Sequence, residues 1–221
     1  MIIDWLVADT FASISGIKAL LDHADRSMPE MEWQEQENLK KLAESEGWDY
    51  HDYDAERQGL EADYRHWVPK YSAYSAVIIL CSIAETRLVA CAERVGTDCK
   101  STFVLKELKG SPLEAAARYL KRVAGVDVAT DAAWKYLRDM QTLRNLIVHR
   151  GGLRGSDLNH QREFDGLLAR HEHRLFRSKN LPFGEEIWVS MEFCRVSAAE
   201  LQSFFMRLFR SLGFPDSRLW Q

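Results

Sequence analysis

Three residues in the later half of the chain have the types and spacing to do chemistry together: Arg144, Asn145 and His149, in the string Arg144-Asn145-Leu146-Ile147-Val148-His149 that runs on into Arg150, Gly151 and Gly152. Arginine supplies a permanent planar cation suited to a phosphate, histidine carries a proton near neutral pH, and an asparagine amide can orient either one. Asn145 and His149 are four residues apart, so a helix stacks them one turn apart on the same face. Arg144 points elsewhere. On a wheel of about 100° per residue with Asn145 at zero, it falls near 260°, inside an apolar arc formed by Ala133, Tyr136, Leu137, Met140, Leu143, Ile147 and Val148. A guanidinium cannot shed its charge. An arginine aimed into such an arc requires a carboxylate, a phosphate or a wet cleft, or it costs several kcal/mol.

The helix that must hold these groups runs from Ala132 to Arg150, with Thr130 or Asp131 as its cap and Gly151-Gly152 as its break. Upstream, residues 71–95 are apolar on nearly every side around 77–84, which predicts a helix in the middle of a bundle, stopped by Gly96. Ser111-Pro112-Leu113-Glu114 combines a capping serine, a proline at the first helical position and a glutamate placed for a capping box, which predicts a helix over 112–124. Toward the N-terminus, the pattern predicts one amphipathic core helix, a second charged helix after Pro29 ending near Gly47, and a third over 55–67 stopping before Pro69. Residues 186–190 read as a strand. Residues 175–178 are its partner across a Pro182-Phe183-Gly184 turn, and a last amphipathic helix covers 197–212 before Gly213 and Pro215. The expected fold is all-α, a four-helix bundle over 69–221 with additional helices in an acidic region 1–68 packed on it and a small β-hairpin near 175–190, together one compact domain.

The length of 221 residues and a hydrophobic content of 46% suffice for a proper core. The formal net charge of −4 argues against a protein covered in positive charge. That total hides a polarity, because residues 1–66 hold 6 basic and 16 acidic residues whereas residues 135–180 hold 10 basic and 5 acidic ones. The four cysteines, Cys81, Cys91, Cys99 and Cys194, form no C-x-x-C pair. A reduced, cytoplasmic protein without a disulfide framework is the expectation. Asp4 and Asp9 stand where a secretory signal needs basic residues, and the apolar run 77–84 is far shorter than the roughly 20 residues that cross a bilayer, so no membrane association is expected.

The Arg144-Asn145-x-x-x-His149 string, placed near the end of a bundle helix after a long apolar helix carrying Glu85, resembles the signature of the HEPN superfamily, with the resemblance spanning roughly residues 71–212. It implies a metal-independent endoribonuclease that needs no cofactor and acts as a homodimer, with two motif helices meeting over RNA. Arg144 would hold the scissile phosphate, His149 would move a proton to or from the 2′-hydroxyl or the leaving oxygen, and Asn145 would orient substrate or imidazole. Arg138 and Arg150 would bind the RNA backbone, and Glu85 would support Arg144 or His149. A toxin or phage-defence role, with an antitoxin or other regulatory protein as partner, follows by family analogy. Some family toxins carry a tyrosine two places after the histidine, a target for nucleotidylation. This chain has Gly151 there. Because Arg144 and His149 lie about 140° apart on the wheel, a second copy across a two-fold axis is expected to complete the site.

Other readings compete. Arg144 could be a structural arginine paired with Glu85, and His149 could satisfy free carbonyls at its helix end. His171-Glu172-His173 reads as a solvated charged segment, since two histidines two apart share no helical face and nothing nearby completes a metal site. Phe204, Phe205, Leu208 and Phe209 read as core. From a different functional class, the chain could be a non-catalytic helical module that binds RNA, a nucleotide or a protein.

Overall fold

The computed structural model describes residues 4–180 and 183–214; Met1 to Ile3, Pro182 of the expected turn, and Pro215 lie outside the described residues. The chain is all-α with one small hairpin. Its elements are α1 (Trp5–Glu46), α2 (Tyr50–Ala62), α3 (Val68–Asp98), α4 (Pro112–Ala124), α5 (Ala132–Arg150), α6 (Leu158–Arg170), β1 (Leu175–Asn180), β2 (Gly184–Val189) and α7 (Met191–Ser211).

Three expected helix breaks are absent. Pro29 lies inside α1, which runs unbroken for 42 residues from Asp4, whose carboxylate accepts the Leu6 and Val7 amides, to Gly47 in the left-handed conformation. A proline removes one backbone donor, but Pro29 is on the exposed side, where water serves the freed carbonyl of the preceding turn. Likewise α2 does not stop before Pro69. It passes through a wide π turn, Asp63–Trp67, straight into α3. The Val68 amide bonds back five residues to Asp63, and this widened turn spares Pro69 the α-type bond it cannot make. Nor is Gly96 a helix stop, since α3 continues to Asp98. Gly96 is a packing glycine: a Cβ there would come within 2.3 Å of the Tyr119 hydroxyl of α4.

The core forms where α3 meets α1, α4, α5 and α7. Val77, Leu80, Leu88 and Cys91 of α3 are fully enclosed, as are Phe193, Phe205 and Phe209 of α7, and Phe209 meets Phe11 of α1 edge-on at 5.8 Å. Each fully buried Phe or Leu contributes about 1.5–3 kcal/mol. Phe204, Phe205, Leu208 and Phe209 are core as their spacing predicts. The N-terminal half of α1 belongs to the bundle itself rather than lying on it, through Val7, Phe11, Ile14 and Leu21. Its C-terminal half and α2 bury only Ala43 between them and form the acidic part of the molecule. By length and composition the helical stretch Tyr50–Asp98 contains a window that would suit a bilayer, with mean hydropathy 1.7, and 44% of that window is buried inside the fold.

Two elements differ from expectation near the motif. Helix α6 stands where the sequence pattern places no helix; it is short and buries only Phe164 and Leu167. Helix α7 begins at Met191, six residues early, because Ser190 accepts the Phe193 amide at 3.1 Å and caps it there. The hairpin pairs Leu175 with Val189 through Asn180 with Gly184. It is anchored to α3 by a buried ion pair, Lys70 Nζ to Glu186 Oε2 at 2.7 Å, both side chains at most 3% exposed, with Trp67, Tyr71 and Tyr74 around the ammonium. After α5 the chain runs along β2, where the Gly152 carbonyl accepts the Ile187 amide at 2.9 Å. Gly152 has φ 88° and Tyr74 presses against it, so no side chain fits there.

Candidate functional site: a cleft between two antiparallel helices

Helix α5 starts and stops where local chemistry dictates. Asp131 accepts the Ala133 amide at 2.8 Å, and at the other end Gly151, with φ 61°, turns its amide back to Ile147 and Leu146. This end carries the motif. Helix α6 packs beside it and is clipped to it at both ends. At one end Asp139 accepts three hydrogen bonds from the Arg170 guanidinium at 2.7–3.0 Å and one from His171 Nε2 at 3.0 Å. At the other, Arg150 Nη2 lies 2.6 Å from His160 Nδ1. Because residue 139 meets 170 while residue 150 meets 160, the two helices run antiparallel.

The first clip overturns the reading of 171–173 as a solvated segment for His171 alone; Glu172 and His173 are exposed. His171 is only 6% exposed and Asp139 only 7%. Tyr136 and Phe193 present ring edges to the imidazole at 5.0 and 5.3 Å, and the Tyr136 hydroxyl meets Ser197. Burial alone would raise the Asp139 carboxyl, but the bonds from His171 and Arg170 outweigh it and hold it below the ordinary carboxylate value. The Asp139 carboxylate is thus answered by its own fold, with four hydrogen bonds to its two oxygens.

Between the clips lies a cavity of about 380 Å³. Its floor is apolar, from Leu146, Phe164 and Leu167, and its polar rim comprises Thr142, Asn145, His149 and Arg150 of α5 with His160 and Glu163 of α6. That volume lies at the lower end of the roughly 300–1,000 Å³ common for small-ligand sites. Asn145 and His149 are exposed to it one turn apart, as the four-residue spacing requires.

Arg144 is not on that rim. It projects toward α3, half-buried, and its one hydrogen bond is from Nη1 to Asn145 Oδ1 at 2.9 Å. Its Nε is buried with no partner among the described residues. The ion pair with Glu85 does not form: Glu85 accepts from Gln141 Nε2 at 3.0 Å, one turn earlier on α5, and makes no hydrogen bond to Arg144 or His149. Both charges are close to Cys81, whose thiol burial pushes up to about 12, with Glu85 adding to the shift and Arg144 opposing it. Of the two arginines expected to bind the RNA backbone, Arg150 lines the cleft but Arg138 pairs with Glu114 of α4 at 2.5 Å. That pairing takes the Glu114 carboxylate that the capping box would use, while Ser111 still accepts the Glu114 amide at 3.3 Å.

Sequence reasoning missed His160, Glu163, Asp139 and the role of His171. One local signal was present, Asp157 before Leu158, which accepts the Asn159 and His160 amides at 2.8 and 3.2 Å and starts α6. Among the described residues, no group of three or more His, Cys, Asp or Glu side chains could hold a metal ion. Compared with protein-family models, curated proteins and solved structures, the chain matches none.

Proposed function

We propose that the protein is a metal-independent endoribonuclease of HEPN type, cleaving RNA by attack of a 2′-hydroxyl at a site completed by a second copy of the chain. One observation carries the reading: of the three arginines on α5, Arg138 is paired with Glu114 and Arg150 with His160, while Arg144 has neither carboxylate nor imidazole and keeps a buried Nε without a partner. A half-buried guanidinium left so poorly satisfied is costly unless an anion meets it in the working state. A phosphodiester is the anion that fits a motif also offering an open histidine and amide. Arg144 faces away from the cleft of its own chain, so it serves the cleft of the partner, and the working unit is a homodimer. Arg150 grips the backbone beside it. A toxin or phage-defence role under an antitoxin or regulatory protein is the biological setting this reading suggests.

The test is cleavage of RNA in excess EDTA by the wild type, Arg144→Ala and His149→Ala. Each variant should lose about 100-fold or more in rate. Mixing the two variants should restore part of the activity, because a mixed dimer contains one site with both residues intact. Cleavage that survives both substitutions, or that requires a divalent metal, overturns the reading.

A second reading is a non-catalytic module that binds RNA or a single nucleotide. What favours it is the absence of Arg144 from the cleft of its own chain, which leaves a monomer with a binding cavity and no phosphate cation beyond Arg150. Tight RNA binding by a strict monomer that never cuts would establish it.

A further inference from the structure

The cleft holds a second histidine facing the motif histidine. His160 sits in the first turn of α6, between Asp157, whose Oδ1 is 3.3 Å from Nδ1, and Arg150, whose Nη2 is 2.6 Å from Nδ1 and 2.9 Å from Nε2. A guanidinium has only donors, so Arg150 holds an imidazole lone pair of His160. The ring is thus placed by the Arg150 guanidinium on one side and the Asp157 carboxylate on the other. The other charged or titratable groups on the cleft are His149 and Glu163. Neither Glu163 nor His149 has an ion-pair partner among the described residues.

Cleavage of RNA by its own 2′-hydroxyl needs a base on one side of the phosphorus, an acid on the other and a cation between them. We infer that His160 is the base and His149 the acid of a single-chain catalytic pair, acting on a phosphodiester gripped by Arg150. The inference rests on the ribonuclease reading above. When a phosphate enters, its oxygens compete for Arg150 and release the His160 imidazole lone pair. His160 takes the proton of the 2′-hydroxyl, the 2′-oxygen bonds to phosphorus, and the bond to the 5′-oxygen breaks. The 5′-oxygen receives its proton from the His149 imidazolium. The products are a 2′,3′-cyclic phosphate and a 5′-hydroxyl, and proton exchange with water resets both rings. The second copy is then needed only for Arg144, to stabilise charge on the phosphorane.

The pair is tested with two substrates, an RNA oligonucleotide and a nucleoside 3′-(4-nitrophenyl phosphate), whose leaving group departs without a proton. His149→Gln should lose about 100-fold on RNA and little on the aryl ester, whereas His160→Gln should lose about 100-fold on both. In the pH profile on RNA, His160→Gln should lose the rise on the acid side and His149→Gln the fall on the alkaline side. Added imidazole should rescue His160→Ala, a result that a structural role would not produce, and thermal melting with RNA binding shows that each variant is folded. An active wild type whose His160→Gln variant keeps its rate, or whose two variants lose equally on both substrates, overturns the pair and leaves the ribonuclease reading standing. A wild type inert toward RNA overturns both.

Discussion

Asp139 and Arg144 are five residues apart on one helix and have been treated in opposite ways. The carboxylate of Asp139 is closed in by Arg170 and His171 from the next helix, with four hydrogen bonds to its two oxygens. The guanidinium of Arg144 has one amide oxygen and a buried, unmatched Nε. A charge that the fold has fully answered holds structure together, because removing either side leaves the other unpaired in a place water cannot reach. A charge left unanswered is stability given up, and under the proposed function the return for it lies in the RNA phosphate. The contrast separates the supporting half of the α5–α6 pair from the half proposed to work on RNA.

The largest expected effect lies on the working half. Arg144→Ala should cut RNA cleavage by about 100-fold or more while leaving the melting temperature unchanged. Arg144→Met, of similar shape without the charge, should raise it, because an unsatisfied buried donor is removed. A fall in stability for Arg144→Met, read by thermal or urea melting, would show that the fold does answer this charge and would erase the contrast. Next comes the supporting half: Asp139→Ala should destabilise by about 3 kcal/mol, since it strands His171 and Arg170. Cleavage per folded molecule should move little. If Asp139→Ala instead abolished cleavage with stability intact, the two halves would not be separable.

Acid unfolding sharpens the same point. The folded Asp139 carboxyl titrates below its ordinary value of 3.8, so its contribution is fully present above about pH 4 and is lost as pH falls through the lower folded value. Asp139→Asn should therefore show a shallower loss of stability below pH 4 than the wild type in melting experiments at stepped pH. An unchanged acid slope would mean that the cluster does not hold the carboxylate ionised. The smallest effect belongs to the exposed pair Arg138–Glu114. Arg138→Ala should cost at most about 1 kcal/mol, because solvent screens a pair whose side chains are 49% and 35% exposed.

How much of this was readable in advance follows from sequence distance. Helix α5 was legible to the residue because Asp131 and Gly151 cap it with bonds that reach at most five residues. The separation of Arg144 from Asn145 and His149 was equally legible, being a matter of 100° per residue. The bonds at Asp139 were not, because Arg170 and His171 lie 31 and 32 residues away. Helix α6 was hidden for another reason. It is short and buries only Phe164 and Leu167, and its Asp157 cap is the clearest local signal of its start. Pro29 and Pro69 misled for the converse reason, since a proline's local cost is absorbed by exposure in one case and by a widened turn in the other.

The sequence by itself determined an all-α chain, a central apolar helix, a motif helix with its two faces, and a hairpin near the end, because propensity, capping and periodicity are local properties. Tertiary structure alone decided which charges would be satisfied. Only packing α6 against α5 could turn His171 from a surface residue into a buried partner of Asp139, bring His160 across from His149, and leave Arg144 open. Electrostatic satisfaction depends on groups meeting in space, and no spacing along a single chain segment specifies that.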